Sequence, residues 1–528
     1  MVILYPFIYR LSTVKSTSNL FSVIILIQTH IPVCPLCAIL TRQANSAIIF
    51  PRQTAFAVRK DIPKMNDISP LVTQVKLPYF TVDCGMSYVI RLSDGRFVII
   101  DGGYGEYDEP EHLYSVLEKQ NILDKITVAA WFITHPHCDH FGNCTLFLNK
   151  YYGKVAVENL LFTFPREGKL KGASDMTEFL KTLPKLTETV ISSPKRGDVL
   201  TYSDAVFEVL FTADDLDDKE VPNINNTSLV MMMTLGIHKT LWLGDAQDQS
   251  SEFLCSVYPD ERLKCDILQV GHHGYWGGSQ ELHEKADPKA LLWPCPDFWY
   301  AMVKYWGANH VLLNESPRCK GIFVAGHRET VFDMTEPVVV KEPWRFFEDG
   351  ETIYEQDFTG NRVIDLGWNF VTGGAHGYRY ARVKLNGDSA TVTTATQDAY
   401  SVLQLLLRCQ MDRISSFTLT FSGKLTEGTE KFGLFWKYPL LRGYELSGDQ
   451  ARRSFCEDDA TWFTPSSADG SFDYKFVADA DKRMAYLYEN GELVAEFRHR
   501  KVSDSSLYFL LRNGEVTFDH IKLVNGVQ

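Results

Sequence analysis

No uninterrupted apolar run long enough to cross a bilayer occurs in this 528-residue chain. The nearest candidate, "NLFSVIILIQTHIPVCPLCAIL", is broken by Gln28, His30, Pro32 and Pro35. Spanning takes about 20 predominantly apolar residues, so no stable membrane span is expected. Paired cysteine motifs are almost absent. Of eleven cysteines, only Cys34 and Cys37 form a C-x-x-C pair. No second pair lies near enough for a zinc knuckle, and an odd, scattered set makes no disulfide framework. That usage favours a reducing, cytoplasmic setting, and Cys34 and Cys37 are read as non-functional. Net basic charge is lacking too. A chain at −13 is a poor general binder of polyanions, because neutralising phosphates takes clustered Lys and Arg. No general nucleic-acid binding is expected.

Acid is missing from residues 1–60, which hold six basic side chains. An acid-poor N-terminus suits a secretory or organelle-targeting segment. It equally suits a disordered extension ahead of Met65. The rest has ordinary globular composition, 45% hydrophobic and 23% charged, and a length that suggests two or three domains. The expected division is a basic extension over 1–64, an α/β domain over 65–345 and an all-β domain over 346–528.

Strand and helix signals alternate in the middle part. "SDG" at Ser93 to Gly95 joins two β-rich runs as a hairpin turn does. "EHLYSVLEKQNIL" has helical periodicity, and "ITVAAWFIT" reads as a buried strand. Such mixing predicts layered α/β architecture. Past about Glu351 the helical signals stop. Short alternating runs such as "FTLTFSGKL" and "RMAYLYENGELVAEF" predict a β-sandwich.

The chemistry concentrates at "WFITHPHCDHFGN". His135, His137, Asp139 and His140 fall within six residues at the end of the predicted buried strand. Side chains at i and i+2 of an extended chain point to one side. His135 and His137 therefore share a space, and a turn at Phe141-Gly142 brings His140 round. Neutral imidazoles with a carboxylate suit a borderline divalent cation such as Zn²⁺. Two further strand ends carry matching groups, Asp245 in "LWLGDAQD" and His272 with His273 in "LQVGHHGYWG". Sites in open α/β sheets gather at strand ends.

Together these motifs resemble the metallo-β-lactamase superfamily over roughly residues 75–330. The H-x-H-x-D-H motif appears as His135, His137, Asp139 and His140. "IIDGG" matches the family's early aspartate at Asp101, which orients a ligand rather than binding metal. "LGD" supplies a bridging aspartate at Asp245, and "GHHG" the final histidine. One departure stands out: no histidine lies between His140 and His238, where the family usually has another ligand. His238 sits in a predicted hairpin turn and is not promoted. "NNTSLVMMM", "GD" and "GHHG" together resemble the branch that includes competence-protein hydrolase domains and phosphorylcholine esterases. The implied fold is an αββα sandwich, followed here by a jelly-roll-like β-sandwich.

The resemblance implies two divalent ions, taken as Zn²⁺. His135 and His137, with one of His272 and His273, hold one ion. Asp139 and His140, with the other, hold the second, and Asp245 bridges. Such a pair lowers the pKa of a shared water, for attack on a phosphodiester. Hydrolysis of a lactam, lactone or thioester is the rival reaction, because fold alone does not choose. Asp139 and Asp101 are the catalytic candidates. Asn226, Ser228, Tyr275, Trp276 and His327 are candidates for contact with a small-molecule or glycan-linked substrate. Cys138 is read as a filler. The C-terminal half is similar to concanavalin-like carbohydrate-binding modules, with Trp368, Trp436 and Trp462 as sugar-stacking candidates. A glycan-binding protein with a degenerate hydrolase domain is therefore the reading from a different class.

Overall fold

A computed structural model describes residues 68–528 apart from the segments 77–83, 106–107, 166–171, 217–220, 296–299, 301–302, 305, 316–320, 327–328, 339–346, 363–365, 367, 373–380, 395–399, 406–415, 430, 437–441, 448–449, 455–466 and 499–506. The extension over 1–64, with Cys34 and Cys37, thus lies outside the described residues, as do His327 and Trp462 and the side chains of Trp368 and Trp436. No helix among the described residues is long and apolar enough to cross a membrane.

Two sheets form the α/β part. The first runs, edge to edge, Thr330–Asp333, Leu71–Gln74, Tyr88–Arg91, Phe97–Ile100, Thr127–Ile133, Asn159–Phe162 and Val190–Ser192. The second runs Gly321–Val324, Ala290–Trp293, Ile267–Gln269, His238–Trp242, Val230–Leu235, Ala205–Phe211 and Val199–Tyr202. Between the sheets lies a core that includes Val98, Ile100, Phe132, Met231, Trp242 and Leu292. A second core packs the helices on the outer faces, with Leu113, Leu117, Phe147 and Leu148 on one side and Leu254 and Leu282 on the other. This is the αββα layering of a metallo-β-lactamase fold.

The periodicity explains the layers. Strand Thr127–Ile133 is buried at every position but its first, as a strand covered on both faces must be. Helix Glu109–Gln120 buries Leu113, Val116 and Leu117 at helical spacing and carries Glu109 and Glu111 in its first turn. The Ser93–Gly95 turn joins antiparallel strands, with Arg91 opposite Phe97. His238 starts a strand opposite Leu235, directly after the Gly236-Ile237 turn.

The C-terminal part has two all-antiparallel sheets. One contains Glu515–Asn525, Phe417–Leu425 and Ser471–Asp479 side by side, and the other contains Leu507–Arg512 and Lys431–Trp436. Phe421, Phe432, Phe476, Phe509 and Phe518 meet between them. In Ser471–Asp479, Phe472, Tyr474 and Phe476 point inward while Ser471 and Asp473 face solvent, the period of two expected of a sandwich strand. Asn490 and Gly491, both at positive φ, close the two-residue turn between Glu489 and Glu492.

Candidate metal centre

Strand Thr127–Ile133 is followed by Thr134, and the chain then delivers His135 and His137 before entering helix Cys138–Tyr151. Asp139 lies in that helix's first turn, where the N-terminal partial charge favours a carboxylate. The helix packs unusually close to the segment after Asp101. The Gly102 amide donates to His140 O at 2.7 Å, and the Asn143 amide to Gly103 O at 3.0 Å. A Cβ at Gly142 would stand 2.0 Å from Tyr104 O, so glycine is required there. This approach places Asp101 against His140.

Asp101 itself has φ 53, a strained setting for a non-glycine residue. Its amide donates to Phe132 O at 2.8 Å, and its carbonyl accepts from Trp131 Nε1 at 3.1 Å. The carboxylate, fully buried, accepts from the Thr134 amide and hydroxyl, both at 2.8 Å, and from His140 Nδ1 at 2.8 Å. Asp101 stands outside both donor groups and holds the Nδ1 of His140.

Six of the seven expected ligands converge. Asp139, His140, Asp245 and His273 form one group, and His135, His137 and Asp245 form another. Asp245 belongs to both. Its Oδ1 lies 3.3 Å from His140 Nε2, and its Oδ2 lies 3.5 Å from His273 Nε2 and 3.7 Å from His135 Nε2. Asp139 Oδ2 is 3.3 Å from His273 Nε2. Ligands about 2.0–2.2 Å from a tetrahedral zinc stand roughly 3.3–3.6 Å from each other. His140 Nε2, His273 Nε2 and Asp245 Oδ1 are buried without a hydrogen-bond partner, which is costly unless a cation completes them.

Each ring is also held by its far nitrogen. His140 Nδ1 donates to Asp101, His273 Nδ1 to Pro294 O at 2.7 Å, and His137 Nε2 to Gly172 O at 3.0 Å. His135 Nδ1 is 3.2 Å from Thr134 Oγ1. Such partners fix the tautomers of His140 and His273 and leave each a lone pair for a metal, while His135 Nε2 and His137 Nδ1 face each other at 2.9 Å. Without a cation, the carboxylates hold protons on this cluster. Burial opposes charge on His140, but Asp245, Asp139 and Asp101 outweigh it and hold its pKa well above the ordinary value. His273 is raised to about 9: burial again opposes, and Asp245 and Asp139 prevail. Burial and the neighbouring His140 push His135 well below its ordinary value. The donor set fits divalent cations, and the chain's His/Asp cluster is able to bind them.

His272 differs from the expectation that each of the two adjacent histidines serves one ion. It joins neither group. Its Nδ1 meets Tyr275 O at 2.5 Å, and its Nε2 faces Asn225 Nδ2 at 2.9 Å and stays 4.0 Å from Asp245 Oδ2. Both residues take positive φ, 45 and 53, and His273 is the one whose Nε2 stands 3.3 Å from Asp139 Oδ2.

Asn226 belongs to neither donor group. Its Oδ1 accepts from the Gln249 and Ser250 amides at 3.1 and 3.3 Å, which ties down the start of helix Asp248–Val257. Ser228 Oγ accepts from the Asp245 amide at 3.0 Å and so holds the backbone of the residue shared by both groups. Tyr275 is partly buried, its ring 5.7 Å from His272, and Trp276 is 54% exposed and stacked on Trp306 at 4.6 Å. Cys138 is partly exposed in the helix's first turn. Sequence reasoning missed Thr134, Asn225 and Gln247. Gln247 Nε2 lies 2.9 Å from His272 Nδ1. Asn225 is one residue from the expected Asn226, and only the turn Ile224–Thr227 decides which amide faces the histidine.

Residues 81–292 match the Metallo-beta-lactamase superfamily. ComE operon protein 3 of Bacillus subtilis (strain 168) is 28% identical over 211 residues, covering 38% of this chain and 25% of that protein. The chain thus spans about a quarter of that relative's length. Among solved structures, the metallo-beta-lactamase fold protein YhfI from Bacillus subtilis aligns at 15% identity and a TM-score of 0.31, covering 50% of this chain and 99% of YhfI. A Bacillus subtilis protein of unknown function with a galectin-like fold aligns at 11% identity and a TM-score of 0.24, covering 34% of this chain and 99% of its own.

Proposed function

We propose that this metallo-β-lactamase superfamily domain is a dinuclear, zinc-dependent hydrolase acting on a phosphodiester, in a small-molecule or glycan-linked substrate. One observation carries the reading. Asp245 presents one carboxylate to two separate donor groups, as a residue bridging two cations must. Divalent ions held by His135, His137, Asp139, His140, Asp245 and His273 would supply Lewis acidity to activate water and offset charge on the reacting oxygens.

The chain's own residues do the rest. Asp101 keeps the His140 proton on Nδ1, so Nε2 stays available. Pro294 O does the same for His273. Ser228 anchors the Asp245 backbone. His272, in neither group, is 22% exposed at its side chain and presents Nε2 beside Asp245. There its Nε2 meets Asn225 Nδ2 at 2.9 Å, and we take this pair as the substrate-facing rim of the site. Tyr275 and the Trp276–Trp306 stack continue outward from it, a wall for the apolar part of a substrate. The competence-protein and phosphorylcholine-esterase character of the sequence motifs favours the phosphodiester over an acyl substrate.

The test is metal content by mass spectrometry on the full chain, paired with hydrolysis of bis(p-nitrophenyl) phosphate. About two zinc ions per chain are expected, with diesterase turnover that disappears in Asp245→Ala. Two ions with turnover only on lactam, lactone or thioester substrates would reassign the reaction. Well-folded protein that takes up no zinc would end the enzyme reading.

A further inference from the structure

The spacing of the donor groups depends on how two strand ends are held, and a buried side chain outside both groups holds them. We infer that Gln269 is a positioning residue: its amide ties the segment carrying Asp245 to the segment carrying His273, and so sets the geometry of the Asp139/His140/Asp245/His273 group. The inference rests on the metal reading above.

Strands His238–Trp242 and Ile267–Gln269 run parallel, paired at Thr240 with Ile267 and at Leu241 with Leu268. Beyond those rungs both segments leave the ladder. One turns at Gly244, φ 56, and the other at His272 and His273. Backbone groups just past a ladder's end, in a dry core, still need partners.

Gln269, fully buried, supplies them. Its Oε1 accepts from the Leu243 amide at 2.9 Å and the Gly244 amide at 2.7 Å. Its Nε2 donates to Gly244 O at 3.0 Å and Val270 O at 2.7 Å. Both lone pairs and both protons of the amide are thereby used. The Gly244 carbonyl also accepts from the His272 amide at 3.1 Å. One peptide therefore joins the residue before Asp245 to the turn that aims His273.

Nothing about packing alone calls for glutamine here. A leucine or methionine would fill similar volume without burying an amide, and a buried amide is tolerated only when fully bonded. The clamp's consequence lies in geometry. Metal donors must be held within about 0.5 Å of their working positions. The Asp245 amide is fixed on its other side by Ser228 Oγ, so loss of the Gln269 bonds frees the Gly244 side alone and rotates the carboxylate away from His273.

The test compares Gln269→Met, Gln269→Glu and Leu268→Ala in the full chain. Zinc affinity is read by chelator competition, cobalt(II) absorption reports the ligand field, and urea unfolding without metal reports stability. Methionine keeps the length and removes all four bonds. Glutamate keeps the two accepted bonds only. Leu268→Ala is the stability control, since it leaves a cavity on the same strand and does not touch the clamp.

Gln269→Met is expected to weaken zinc binding by about 10- to 100-fold, the usual cost of losing an outer partner, and to change the cobalt spectrum. Gln269→Glu should fall between, and should carry the comparison if the methionine variant does not fold. Leu268→Ala should keep wild-type affinity and spectrum despite lost stability. Wild-type affinity and spectrum in the Gln269 variants would overturn the inference and leave the dinuclear reading intact. Equal weakening in Leu268→Ala would also overturn it. A wild-type chain that binds no divalent ion would overturn the dinuclear reading and this inference together.

Discussion

Replacing Asp101 by asparagine isolates the job of a residue that touches no metal. The two side chains have the same shape. Asparagine also tolerates the left-handed backbone better than most residues, so φ 53 at this position adds no new strain. The carboxylate accepts three hydrogen bonds, two from Thr134 and one from His140 Nδ1. An amide accepts through one oxygen only. If that oxygen keeps the Thr134 amide, the new NH₂ faces the Thr134 hydroxyl and His140 Nδ1. His140 must then give up its Nδ1 proton and carry one on Nε2, the atom that points at Asp245. A protonated Nε2 cannot ligate. The affinity of the Asp139/His140/Asp245/His273 group should fall about 10- to 100-fold, which is about 1.4–2.7 kcal/mol. The His135/His137/Asp245 group should fall less, since Asp101 reaches it only through Thr134. The assay is competition with a graded series of chelators, following two binding steps. Two unchanged affinities would refute the tautomer argument. Equal loss of both ions would show that Asp101 supports the whole site rather than one ring.

Two further outcomes follow from the same geometry. The pKa of His273 in the metal-free fold is about 9, above the roughly 6.5 of an unfolded histidine. Its protonation therefore stabilises the fold fully below about pH 6.5, and that stability is lost as pH rises through about 9. Metal-free protein should unfold at progressively lower urea between those values, while zinc affinity climbs because zinc displaces the proton; flat profiles for both would refute the assignment. Separately, His272→Ala should retain two zinc ions and lose turnover mainly through KM, whereas His273→Ala should lose one ion. Loss of an ion from His272→Ala, measured by mass spectrometry, would return His272 to the ligands.

Much of the site was readable because its chemistry is local in sequence. His135, His137, Asp139 and His140 sit together in the chain, and strand alternation plus one helical turn suffices to aim them inward. Asp245 and His273 were readable because each follows a short apolar strand. The choice between adjacent residues was not readable. Asn225 rather than Asn226 meets His272 because of one tight turn, and His273 rather than His272 stands among the donors although both take positive φ. Composition carries no trace of either.

The β-sandwich was evident from period-two alternation and from the Asn490-Gly491 turn, since the same pattern that buries Phe472, Tyr474 and Phe476 is printed along the strand. Gln269 shows the opposite case. In the sequence it is one polar residue interrupting an apolar strand. It becomes a clamp only because two parallel strands end side by side and leave backbone groups that an amide can satisfy. The order of residues determined which donors exist and at which strand ends they stand. Only the tertiary structure decided which of them meet, because that depends on hydrogen bonds between segments far apart in the chain.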